Sequence, residues 1–361
     1  MYSSILSLTT LLSFLQAATA SPTSCKPPSP FNWTSTKSTG VNLGGWLFQE
    51  PGFETTFWLT HSPSASDEWT QCKNFGRHCG PVLEHHYATF ITKTDIDTLA
   101  AAGASILRIP TTYAAWIDLP RSELYSGQQQ EHLRKITEYA MRKYNMRIII
   151  GVHSLPGGLN GLTIAFIGSS SAPGSFTLEP VNEPADRNGD NDLTMAVFGT
   201  PEVLSESGAA YVLSFWQALL ARVQKPGLNV PLMFQSFKLP HYWFSGFSPG
   251  DNIIFDVHNY YFARNTSSEN LPRFIISDAQ TKCGDGSFSV FVGEWSIQAA
   301  YNNSLALRER NLRAGLDAWE EYMQGSCYWT AKTKGNGMVD GEGRQKDFWS
   351  FEQFIKAGVC L

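Results

Sequence analysis

Two short apolar runs in this chain each end on a glutamate. Phe176-Thr-Leu-Glu-Pro-Val-Asn-Glu-Pro184 closes on Asn182 and Glu183, and Phe288-Ser-Val-Phe-Val-Gly-Glu-Trp295 delivers Glu294. The first run, bounded by Gly174 and Pro184, reads as a buried parallel strand that hands a carboxylate to its C-terminal end. Two carboxylates held roughly 5 Å apart across a cleft suit one chemistry in particular. One protonates a departing oxygen while the other attacks an anomeric carbon, and water then completes a double displacement with retention.

Such a pair needs a frame, and the chain supplies a repeating one. Gly40–Trp46, Ala104–Pro110, Arg147–His153, the Phe176 run, Pro231–Gln235, Ile253–Asn259, Ser289–Glu294 and Ser326–Thr330 read as eight strands. Helical spacing recurs between most of them: Glu84–Ala102, with Thr92 able to cap a second segment, Gln130–Tyr144, Ala209–Val223 and Leu305–Met323. Residues 52–80 read as a long aromatic loop closed by cysteines. The alternation predicts an α/β fold, a (β/α)8 TIM barrel. No repeat, low-complexity tract or linker marks a second domain, so residues 21–361 are expected to form one catalytic domain.

In this fold active sites gather at the C-terminal rim. Here the rim positions are Glu50, Arg108, His153, Asn182 with Glu183, His258 with Tyr260, Glu294 and Trp329. A lone His or Arg at a strand end is as often a structural hydrogen-bonder as a functional group. Convergence of the whole set favours function.

The 361 residues accommodate such a barrel, which typically needs about 250. A net charge of −5 without a basic block argues against nucleic acid as a partner. The 11 tryptophans suit either a large core or a cleft whose rings stack on sugar faces. Residues 1–20 carry an apolar centre and end Ala18-Thr-Ala20, matching a secretory signal, although the usual early positive charge is missing. A retained membrane span is not expected at that length, and secretion is.

The six cysteines are even in number, as suits an exported chain. Cys72 and Cys79 are near enough to close a small disulfide loop. Cys25, Cys283, Cys327 and Cys360 could form two more, with the pairing open. None of the spacings resembles a metal site. Sequons at Asn32, Asn265 and Asn302 fit a glycoprotein.

Val181-Asn-Glu-Pro184 and Val292-Gly-Glu-Trp295 resemble glycoside hydrolase family 5. Gly40-Val-Asn-Leu-Gly-Gly-Trp46, Leu107-Arg-Ile-Pro110 and Asp256-Val-His-Asn-Tyr260 narrow the likeness to its fungal exo-β-1,3-glucanase group, over nearly all of residues 36–355. Arg108-Ile-Pro-Thr-Thr-Tyr-Ala-Ala-Trp116, His153-Ser-Leu-Pro-Gly-Gly158 and Gly293-Glu-Trp-Ser-Ile-Gln298 look closer to fungal rutinosidases, which release a disaccharide from flavonoid glycosides.

The resemblance implies roles. Glu183 would be general acid and then base, and Glu294 the nucleophile, hydrogen-bonded by Arg108 and Tyr260. Asn182 would grip the sugar 2-hydroxyl, His153 and His258 would line the glucose subsite, and Trp329 would be its floor. Glu50 matches a sugar-hydroxyl ligand of exo-acting members. It also implies no metal or cofactor, a β-glucan or β-glucoside as substrate, and a monomer.

One stretch departs from the family. Only 29 residues separate the end of the His153 strand from that of the Glu183 strand, and Leu162–Gly174 is too short for a loop plus a full helix. One outer helix between strands 3 and 4 is therefore expected to be missing or shortened, through a truncated gene model or as a genuine variant. The leading expectation is an exo-β-1,3-glucanase-like retaining enzyme. The alternatives are a β-diglycosidase of rutinosidase type and, in another class, a glycan-binding protein impaired in turnover by that gap.

Overall fold

The computed structural model describes residues 32–52, 55–62, 64–155, 176–185, 201–224, 230–235 and 237–361. The expected signal segment, Cys25 and the short 162–174 stretch lie outside the described residues.

Eight parallel strands close into a barrel in sequence order: β1 Ser38–Asn42, β2 Ile106–Thr112, β3 Arg147–Ser154, β4 Phe176–Glu179, β5 Leu232–Gln235, β6 Ile253–Tyr261, β7 Ser289–Ala299 and β8 Gly325–Tyr328. Closure leaves no strand edge exposed, and with helices outside and side chains within, most strand residues are buried on both faces, which suits apolar runs such as those of β6 and β7.

The lower interior is filled by Ile106, Ile149, Met233, Ile254, Phe291 and Cys327, with Trp33 beneath them. Trp33 packs edge-on against Phe291 at 5.1 Å and donates its indole N–H to Thr177 Oγ1, stoppering the barrel floor. With that end filled by side chains, the opposite end is left for chemistry.

Helices cover the outside, and several are bounded by local capping contacts. The helix Lys93–Ala101 opens on a capping box between Thr92 and Asp95. Ser205 caps Glu206–Val223 through the Gly208 N–H, and Asn145 in the left-handed conformation ends Gln129–Tyr144. Glu84–Ala102 is thus two helices, Cys79–Thr89 and Lys93–Ala101, broken at the Thr92 cap.

Several expectations need correction. Residues 52–80 hold two helices, Thr55–His61 and Glu68–Phe75, the second capped by Asp67. A helix at Leu271–Lys282, with Pro272 in its first turn, was not anticipated. β1 stops at Asn42, because the backbone turns at Leu43–Trp46, and β8 stops at Tyr328.

Cys72 and Cys79 are bridged. Among the described residues Cys283, Cys327 and Cys360 form no disulfide. Cys327 cannot reach a partner because it is enclosed in the barrel's apolar interior. The three sequon asparagines Asn32, Asn265 and Asn302 are all exposed. Among the described residues no helix is long and apolar enough to cross a membrane.

Candidate active site

β4 ends where Pro180, which has no N–H, halts the ladder. Asn182 and Glu183 therefore sit on the turn beyond it. The Asn182 N–H donates to the Val152 carbonyl at 3.2 Å, and the Glu183 N–H donates to Gln235 Oε1 at 2.6 Å. Glu183 adopts φ 46°, the left-handed region that disfavours a side chain. A glutamate held there by neighbouring strands is strain of the kind that collects at functional sites.

Across the mouth, β7 presents Glu294, which pairs in register with His258 of β6 beside a local irregularity. Glu294 is almost wholly enclosed. Its Oε1 accepts from Arg108 Nη1 at 2.6 Å and its Oε2 accepts from the Tyr260 hydroxyl at 2.7 Å. His258 Nδ1 lies 2.8 Å from Glu183 Oε1 and 3.5 Å from Glu294 Oε2. A carboxylate oxygen of Glu183 and one of Glu294 lie within 4.8 Å of each other.

Arg108 is the hub. Nη1 also donates to Asn42 Oδ1 at 2.9 Å, Nη2 donates to Asn182 Oδ1 at 2.8 Å, and Nε and Nη2 grip Glu179 at 2.8 Å each. Every N–H of a guanidinium cut off from water must find an acceptor, and here β1, β4, β7 and the turn beyond β4 provide them. Asp256 of β6 completes the set, 4.0 Å from Arg108 Nε.

Burial and close charges shift several groups of the site. Burial raises the Glu183 carboxyl above the ordinary carboxylate range, although the hydrogen bond from His258 opposes the rise. Burial disfavours the charged form of His258, but Glu294 and Asp256, with the Glu183 hydrogen bond, outweigh it and push the imidazole up to about 10. His153, buried and facing Arg108 and His258, is held well below the usual imidazole value and so is neutral. Glu50 is pushed up to about 8 by burial, with Glu294 and Glu183 adding to it, and its enclosed Oε2 has no hydrogen-bond partner.

Around these groups stand aromatic rings. Trp329 lies parallel to His153 at 6.0 Å and 15°, and Phe48 packs tilted against the same imidazole at 5.3 Å. Trp349 stacks on Tyr260 at 5.3 Å, which fixes the phenol that reaches Glu294.

The structure therefore gathers Glu50, Arg108, His153, Asn182, Glu183, His258, Tyr260, Glu294 and Trp329 at one barrel mouth. Sequence reasoning missed Asn42, Glu179, Asp256 and Gln235. Part of a signal was available: Asn42, Glu179 and Gln235 close their strands and Asp256 interrupts an apolar stretch of β6, and a buried polar group requires a partner, although the sequence does not name it.

The model of the cellulase family, glycosyl hydrolase family 5, matches residues 64–335. The crystal structure of a rutinosidase from Aspergillus niger superposes with a TM-score of 0.85 at 51% identity, covering 92% of this chain and 99% of that one. A probable glucan 1,3-beta-glucosidase A from Aspergillus fumigatus is 26% identical over 351 residues, covering 82% of this chain and 83% of that protein. Its counterpart in Aspergillus niger is 27% identical over 293 residues, covering 74% and 67%. With that match, a closed (β/α)8 barrel and two glutamates at its mouth, the chain belongs to glycosyl hydrolase family 5 and is a β-glycosidase.

Proposed function

We propose that this β-glycosidase works by double displacement on flavonoid rutinosides, releasing the disaccharide whole. Glu183 is the acid and then the base, and Glu294 is the nucleophile. The separation of the two carboxylates supports retention, since an inverting pair stands about 6.5–9.5 Å apart to admit a water. The raised Glu183 carboxyl suits a group that must carry a proton. With Oε1 held by His258, its Oε2 is the oxygen left to protonate the departing aglycone.

Arg108 and Tyr260 hold both oxygens of Glu294 for attack on the anomeric carbon. Asn182 gives its Oδ1 to Arg108, so its amide N–H groups are turned to the sugar 2-hydroxyl, a contact that tightens in the oxocarbenium-like transition state. Neutral His153 and protonated His258 line the glucose subsite above Trp329, and Glu50 offers a neutral carboxyl to a further hydroxyl.

One observation carries the substrate class: the 51% identity to a rutinosidase, against 26–27% to the glucan glucosidases. This ranks the diglycosidase reading above the exo-glucanase one. The latter stays as the second reading because the glucan glucosidases also share most of the chain. Secretion as a glycosylated, single-domain monomer after removal of residues 1–20 belongs to the same proposal. The signal-like N-terminus, the bridged cysteines and the exposed sequons support export.

Hydrolysis of rutin and of laminarin, side by side with this chain, tests the reading. Intact rutinose from rutin is expected. Free glucose from laminarin with rutin untouched would move the protein to the exo-glucanase reading. A folded protein silent on both would favour a glycan-binding protein.

A further inference from the structure

One buried carboxylate, Asp256 on β6, reaches both halves of the catalytic pair without touching either glutamate. Its Oδ1 accepts from the N–H of Gly293, the residue directly before Glu294. Its Oδ2 lies 3.2 Å from His258 Nε2, and the opposite nitrogen of that ring holds Glu183. Arg108, which holds Glu294, is 4.0 Å away. A Cβ at position 293 would fall 2.0 Å from Asp256 Oδ2, so the carboxylate occupies the space that any side chain there would need.

We propose that Asp256 is a positioning residue that sets the spacing of Glu183 and Glu294, by anchoring the backbone before one and the imidazole beside the other. The proposal rests on the roles given above to those two glutamates. Two hydrogen bonds accepted by one carboxylate fix the backbone of β7 and the His258 ring relative to each other, which separate anchors would not do. They also fix the charge of His258, because an acceptor at each ring nitrogen calls for a proton on each.

The charged and titratable groups facing this pair come from all sides. They are Glu50 beyond β1, Arg108 on β2, His153 on β3, Glu179 on β4 with Glu183 beyond it, Glu294 on β7 and Cys327 on β8. None but Asp256 accepts from the N–H of Gly293 and also faces His258 Nε2.

Asp256→Asn in the full chain tests the idea. The amide oxygen can still take the Gly293 N–H, but the amide NH2 then faces His258 Nε2. That nitrogen must become an acceptor, so the ring turns neutral and the cation beside both glutamates is lost. On rutin or an aryl β-glucoside, kcat is expected to fall about tenfold or more, as small misplacements of reacting groups do, with KM within about twofold. Both limbs of the kcat/KM pH profile should move upward, a change that loss of folded protein cannot produce. Wild-type kcat with an unmoved profile would overturn the proposal, as would a loss matched by the fraction unfolded.

If the variant does not fold, 15N spectra of the wild-type histidines decide instead. A His258 protonated on both nitrogens from pH 5 to 8 is expected, and a bare Nε2 would overturn the proposal. A Glu294→Ala control with added azide separates this from the parent reading. Formation of an α-glycosyl azide, the aglycone leaving with the Glu183 proton, keeps the two roles intact. Unchanged hydrolysis without azide would sink those roles.

Discussion

Arg108 and Glu179 form a bidentate pair fully enclosed beneath the barrel mouth, and the free edge of the same guanidinium carries Glu294. The pair ties β2 to β4, the strand that leads into Glu183. A buried ion pair adds little net stability over apolar packing, but removing one partner strands the other charge at a cost of about 3–5 kcal/mol. Glu179→Ala is therefore expected to lower unfolding free energy by that order and to reduce kcat, since Arg108 is then free to swing from Glu294. Denaturant titration and kinetics on the same sample check this. An unchanged midpoint would mean that Asp256 and Glu294 suffice to hold Arg108.

The two glutamates should respond differently to the leaving group. Glu183→Ala removes the proton donor but leaves Glu294 to attack, so an activated aryl glycoside with an acidic phenol should still be cleaved in the first step. Turnover of a poor leaving group should drop about 10²–10⁴-fold. Glu294→Gln should abolish both alike. For the wild type, the raised Glu183 carboxyl places the alkaline limb of kcat/KM above the ordinary carboxylate range, activity falling as pH rises through it. Equal losses on both substrates in Glu183→Ala would contradict its role as acid.

The parts of this site that could be read in advance were those at strand ends, where a polar residue closes an apolar run and the barrel geometry says what it faces. Glu183, Glu294, Arg108 and His258 stood out in that way. Glu179 and Asp256 lie within their runs, where position alone does not say whether a carboxylate meets a cation or a sugar. Only the three-dimensional register, with Gly151 opposite Glu179 and Asp256 opposite Phe291, brings them to Arg108. The helices Thr55–His61 and Glu68–Phe75 were hidden for another reason. Both are short and rich in aromatic and β-branched residues, and tertiary packing rather than propensity makes them helical.

Glu68 offers a test of stability apart from catalysis. It is buried, its Oε2 accepts from the Gln49 N–H, and its Oε1 has no partner. Burial pushes its carboxyl up to about 8, from 4.5 in an exposed chain. Because the folded value is the higher one, the native state binds the proton more tightly. Stability is therefore full below about 4.5 and falls as pH rises toward 8, by as much as about 1.4 kcal/mol per pH unit. Glu68→Gln keeps the acceptor for Gln49 and should flatten that fall, matching the wild type at pH 4 and exceeding it at pH 8. Parallel melting curves across that range would show that the carboxyl is ionised in the folded protein.

Trp329 is clamped between a stack and a close approach. His153 lies parallel to it at 6.0 Å, and a Cβ on Gly44 would stand 3.0 Å from its six-membered ring. A ring held this firmly spends little entropy on meeting a sugar, so its contribution should appear in binding as well as in turnover. Aromatic contacts of this kind are worth about 0.5–1.5 kcal/mol beyond buried area, so Trp329→Phe should raise KM by about two- to tenfold. Gly44→Ala should give a milder version, because the added methyl presses on an indole that remains intact. If Trp329→Phe left KM unchanged while Gly44→Ala raised it, the floor of the subsite would be the β1 turn rather than the indole.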